Sequence, residues 1–164
     1  MAETGLAALR AEIDAVDDEI LALLHRRAEI ARRVAGAKRG GPPLRPSREA
    51  ALARKLRDAS GAFPELGLQG LWREIISACS HIQGEMRIAV AVETDADAEA
   101  ESGTLALARS HFGRFATLTR CASDRRALGE VIDGRVEVAL LPTPWGRPDR
   151  PWWGDLAATP NAPH

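Results

Sequence analysis

Six polar residues suit one kind of chemistry by type and spacing: Arg10, Arg27, Lys38, Arg48, Glu49 and Gln83. Two guanidinium groups can each hold a carboxylate through paired N–H bonds, while Lys and Gln can each donate to an ether or carbonyl oxygen. The sequence offers no Ser–His or Cys–His arrangement, no carboxylate pair at glycosidase spacing and no cluster with metal-ligand spacing. A cation-rich set without an evident base suits a reaction that needs no proton transfer. Its rate would come from orienting the substrate and from stabilising an oxygen that becomes anionic. Neither a metal nor a cofactor is expected.

Three of these cations lie on one predicted element. Leu6, Leu9, Ile13, Val16, Ile20 and Leu23 follow one another by threes and fours, and the rhythm continues through positions 27, 30 and 34. Those positions hold Arg27, Ile30 and Val34, so a coiled-coil-like seam carries an arginine where an apolar residue is expected. Lys38, eleven residues on, falls on almost the same face, and Arg10 borders it next to Leu9. The helix is expected from an N-cap at Thr4 to about Arg39, where Gly40-Gly41-Pro42-Pro43 breaks it. At ~1.5 Å per residue it is roughly 50 Å long, too long for one small domain to cover. A second copy of the same helix in a symmetric homodimer is the economical partner.

A second helix is expected from an N-cap at Ser47, carrying Arg48 and Glu49 in its first turn and ending by Gly61. A third is expected from about Leu68 to Gln83, with Leu68, Leu71, Trp72, Ile75, Ile76, Cys79 and Ile82 as its apolar stripe. The pattern then changes. Runs at 86–92 and 136–141 read as strands, with helices around 104–112 and 123–132 and a weaker strand around 115–119. The fold class expected is therefore an all-α unit of three helices over 1–84, followed by a small βαβαβ parallel-sheet segment over 85–164. The Pro/Trp-rich tail from Pro142 is expected to be irregular. Its Trp145, Trp152 and Trp153 are candidates for bracing a thin core.

Composition narrows the classes. With 164 residues, 45% apolar and 27% charged, the chain fits a water-soluble protein, and no run approaches the ~20 apolar residues of a membrane span. Residues 1–9 lack the pattern of a secretory leader, so a cytoplasmic location is expected. Between residues 26 and 57 there are eleven Lys/Arg against two acids, but none of the four Trp and three Phe lies in that block. A small polyanion is a better expected ligand than nucleic acid. Cys79 and Cys121 read as packed thiols.

The stretches LAALRAEIDAVDDEILALLHRRAEIARRVAGAK, LRPSRE and WREIISACSHIQ together resemble the all-helical (AroQ) class of chorismate mutases across 6–83. The resemblance implies an intertwined helical homodimer converting chorismate to prephenate by a pericyclic rearrangement. It implies that Arg27 and the partner subunit's Arg10 clamp two carboxylates, and that Lys38 and Gln83 donate to the breaking ether oxygen. Glu49 would bind the ring hydroxyl, Arg48 would support the electrostatics, and Cys79 would stand where the family often has a small hydroxyl residue. Spacing agrees for Arg10, which lies 28 residues from Lys38, ~42 Å along one helix. Both can serve one site only from different chains. Gln83 is neutral, so activity over a broad pH range is expected.

The segment MRIAVAV, ARSHFG, VEVALLP resembles the start of a prephenate dehydratase domain. The Gly/Thr-rich loop expected after the first strand is replaced by ETDADAEAE, and the Thr-Arg-Phe signature is absent. Within these 164 residues there is no room for a second lobe, so a degenerate remnant without dehydratase activity is expected. Two other functions fit the helical scaffold: an isochorismate pyruvate lyase, and a non-catalytic helical dimer that tunes another enzyme of aromatic biosynthesis.

Overall fold

A computed structural model of the chain describes residues 2–37, 45–59, 61–92, 98–143 and 152–158. It divides into two compact units, Met1–Gly41 and Pro42–His164. The first is one helix, α1 (Ala2–Ala37), which already includes Thr4 and so starts before the expected cap. No proline interrupts it, and its two glycines, Gly5 and Gly36, fall near the ends where they cost least. Its seam is uncovered. Leu6, Leu9, Ile13, Val16, Ile20, Leu23, Ile30 and Val34 are all exposed, from 37% at Val34 to 63% at Leu23.

The second unit opens with α2 (Pro46–Asp58) and α3 (Glu65–Gln83), which pack against each other. The cap of α2 is Arg45, in extended conformation, rather than Ser47. Pro46 fixes its own φ near the helical value and has no N–H to satisfy, so it starts the helix before the serine is reached. Likewise α3 starts at Glu65, directly after Pro64, three residues before the expected Leu68.

From α3 the chain passes through Gly84, Glu85 and Met86 into β1 (Arg87–Ala91), followed by α4 (Ala98–Phe112), β2 (Thr117–Cys121), α5 (Asp124–Ile132) and β3 (Val138–Leu140). The three strands form a parallel sheet in the order β2-β1-β3, with Ile88 beside both Leu118 and Val138. β1 is central and buried on both faces, which is why its sequence is a continuous apolar run. Met86, Ile88, Val90 and Val92 pack with Ala108 of α4, while Ala89 packs with Cys121, Ala127 of α5 and Val136.

Four further sequence expectations shift. α4 begins six residues before Thr104, and its first turn carries Glu99, an acid suited to a helix N-terminus. The weaker strand lies two residues later, at 117–121, because Gly113 adopts φ +78° and the turn runs on to Ala116. β3 is shorter than the apolar run 136–141. The tail is not wholly irregular: α6 (Trp152–Ala158) packs on α5, and the Trp152 indole donates to the Pro142 carbonyl at 3.0 Å. Trp152 thus ties α6 to the segment that follows β3, whereas Trp153 is exposed and Trp145 lies outside the described residues. Both cysteines are free and buried, as expected of packed thiols. No helix is long and apolar enough to cross a membrane among the described residues.

Candidate active site

On α1, Arg10 is exposed and Arg27 is half-buried on the seam line. They are 17 residues apart on a continuous helix, ~25 Å at 1.5 Å per residue. A single copy of α1 therefore does not bring both guanidinium groups to one small ligand. Lys38 lies outside the described residues.

The first turn of α2 carries the next two candidates. The backbone N–H groups of Arg48 and Glu49 both donate to the Arg45 carbonyl at 3.0 Å, closing the turn that Pro46 starts. Arg48 is exposed, whereas Glu49 is half-buried. Glu49 lines a groove between α2 and α3 with Leu52, Leu56, Trp72, Arg73 and Ile76. Burial raises its carboxyl above the ordinary glutamate value, and the positive charge of Arg73 opposes that rise. The same Arg73 charge, after burial, helps hold His111 of α4 below the ordinary histidine value.

Gln83 is the last residue of α3 and half-buried. Its Nε2 donates to the Cys79 carbonyl at 3.0 Å, satisfying one carbonyl of the final turn. An amide nitrogen carries two hydrogens, so the bond fixes the side chain and leaves a second donor. Cys79 is buried, at 8% exposure. With 100° per residue, Trp72, Ile76, Cys79 and Gln83 share one face of α3. Gln83 thus lies on the face that lines the Glu49 groove, ~10 Å beyond Ile76 along the axis.

The second unit therefore brings Glu49 and Gln83 to the same side of α3, with Arg48 at the start of the neighbouring helix. Sequence reasoning missed Arg73. Its neighbour Trp72 belongs to the apolar stripe, and a cation bordering a stripe is the signal that singled out Arg10.

Residues 9–84 match the family described as chorismate mutase type II. This part of the chain belongs to that family. Chorismate mutases of this type are isomerases, and the match spans α1, α2 and α3 entire but for the first turns of α1. Among curated proteins, the bifunctional chorismate mutase/prephenate dehydratase of Aquifex aeolicus is 32% identical over 144 residues, covering 84% of this chain and 38% of the relative. The protein of the same name from Neisseria gonorrhoeae is 33% identical over 134 residues, covering 81% of this chain and 35% of its own. That from Pseudomonas aeruginosa is 30% identical over 145 residues, covering 84% and 38%. Matches of this extent run past the mutase residues into the α/β segment, whose resemblance to the start of a dehydratase domain they support. The chain spans less than two fifths of the length of these relatives. No solved structure matches the chain.

Proposed function

We propose that this chain is a homodimeric chorismate mutase, with its functional domain over 1–84 and an α/β segment over 85–164 that carries no dehydratase activity. The observation that carries the reading is the seam of α1. It belongs to a chorismate mutase type II stretch, leaves its eight large apolar side chains exposed and spaces Arg10 and Arg27 ~25 Å apart. Pairing two copies of α1 covers the apolar seam. Pairing also delivers Arg10 of the partner subunit towards Arg27, in the half of the helix that leads in sequence to Lys38.

In that arrangement Arg27 and Arg10 of the partner subunit each take one carboxylate of chorismate through a bidentate pair. The clamp holds the substrate folded, so that the carbons to be joined approach one another. As the new C–C bond forms and the ether C–O bond breaks, negative charge grows on the ether oxygen. Lys38 and the second amide hydrogen of Gln83 donate to that oxygen, and Arg48 adds positive potential. Glu49, as carboxylate, accepts from the ring hydroxyl, which orients the ring over the groove. No proton is transferred, in keeping with the lack of a dedicated base. Cys79 supports Gln83 through its carbonyl and lies where a substrate contact is expected. The acidic run from Glu93 to Glu101 supports the lack of dehydratase activity, because it would repel an anionic substrate.

Subunit complementation tests the shared site. Arg10→Ala and Lys38→Ala dimers are each expected to be nearly inactive. Unfolding and refolding them together forms mixed dimers with one intact site, restoring about a quarter of wild-type activity. An absence of recovery in confirmed mixed dimers would contradict sites built from two chains.

A further inference from the structure

The α/β segment grips α3 from the side opposite to Gln83. The Arg114 N–H donates to the Glu74 carboxylate at 3.2 Å, and the Phe115 N–H donates to Ser77 Oγ at 3.2 Å. The Phe115 ring lies 5.5 Å from that of His81, centroid to centroid. Residues 74, 77 and 81 form one stripe of α3, while Trp72, Ile76, Cys79 and Gln83 form the opposite one. The close approach depends on Gly113. It has φ +78°, and a Cβ there would overlap Ser77 Cβ and come within 2.6 Å of its Oγ. The turn is itself fastened, because Arg109 Nη1 donates to the carbonyls of Gly113, Arg114 and Ala116 at 3.3, 3.0 and 2.7 Å. Just past Gln83, the Thr117 N–H donates to the Met86 carbonyl at 2.8 Å and Thr117 Oγ1 donates to Glu85 at 2.9 Å.

We propose that this turn, residues 113–115, is a positioning element for the mutase reaction. Gly113 and Ser77 set the lie of the last two turns of α3 and thereby aim Gln83. Neither touches substrate. Gln83 is six residues beyond Ser77, ~9 Å along the axis, so a small tilt at the contact displaces the amide where the ether oxygen must be met. The inference rests on the mutase reading, and it gives the dehydratase-like segment a task that needs no chemistry of its own. A donor aimed at developing charge is more sensitive to displacement than the carboxylate clamps, so the effect falls on kcat rather than KM.

The test is a double-mutant cycle on the full chain, with chorismate turnover measured in wild-type and Gln83→Ala backgrounds. Gly113→Ala is expected to lower kcat roughly tenfold or more with KM changed less than about twofold. In the Gln83→Ala background the same substitution should cost less than about twofold, because the donor it misplaces is already gone. Equal losses in both backgrounds, or no loss in wild type, would overturn the proposal. Should Gly113→Ala fail to fold, Ser77→Ala and Phe115→Ala carry the same cycle, with smaller losses that again vanish without Gln83. Wild-type protein that turns over no chorismate would overturn the mutase reading, and this one with it. Active wild type with additive losses would overturn the positioning role alone.

Discussion

At the scale of single residues, the site sets stability against function at Glu49. Burial holds its carboxyl above the ordinary value in the folded chain, so the folded state favours the proton. Stability associated with this group is therefore greatest at low pH and falls as pH rises through the raised pKa. Its proposed role requires the opposite form, since only the carboxylate accepts from a hydroxyl without competing as a donor. Two outcomes follow for pH series. Wild-type kcat/KM should show an acid limb that begins at a higher pH than an ordinary glutamate would give, and stay level above it because Gln83 does not titrate. Glu49→Gln should lower kcat/KM, abolish that limb and lessen the loss of stability with rising pH in urea titrations. An unchanged acid limb in Glu49→Gln would assign it to another group. Arg27 is the residue most legible from sequence alone, because a charge on a regular apolar seam contradicts the pattern around it. Arg73 was not legible. Its effect on Glu49 and His111 comes from helices brought together by folding rather than by spacing.

At the scale of elements, β1 holds the α/β segment together and α3 joins that segment to the site. The apolar run of β1 and the three-four stripe of α3 were both readable as periodicity, whereas the starts of α2 and α3 were misplaced because a proline outranks a serine or a leucine. α6 was not readable at all. A seven-residue helix among prolines has too short a period to announce itself, and it exists by packing on α5 and tethering Trp152. Ile88 is fully buried between α4 and the neighbouring strands. Ile88→Ala should cost ~2–5 kcal/mol, read as a lower urea midpoint with an unchanged slope. Across the β1–β3 pair, Glu137 accepts from the Arg87 backbone N–H and from its guanidinium, both at 2.6 Å. Burial alone would raise the Glu137 pKa, but the hydrogen bonds and charge of Arg87 outweigh it and hold the carboxyl low. The stability this gives is present above the ordinary glutamate pKa and is lost as pH falls through the depressed one. Glu137→Gln should therefore destabilise the protein at neutral pH and flatten its acid unfolding profile. A variant that keeps the wild-type acid profile would assign that sensitivity elsewhere.

At the scale of the whole molecule, the long uncovered seam of α1 is the feature a single chain does not account for. Eight large apolar side chains on one line of one helix are exposed, and in the proposed dimer a second copy of the helix would bury them, the main gain of that pairing. Ile13→Asp together with Ile20→Asp should abolish the dimer in sedimentation or light scattering, and activity should fall with it. A monomeric wild type would remove the basis for a shared site. The three helices could be anticipated because they follow from period and residue type along α1–α3. The way the α/β segment grips α3 could not, since it depends on a glycine whose importance lies in what a Cβ would strike. The most direct test is the loss of chorismate by the purified full chain, followed by ultraviolet absorbance, with Arg27→Ala and Lys38→Ala beside wild type. The expected result is conversion to prephenate by wild type and a loss of roughly 10²–10³ in kcat for Lys38→Ala, with Arg27→Ala similarly impaired. No conversion by a folded wild-type dimer, or full activity in both variants, would contradict the account.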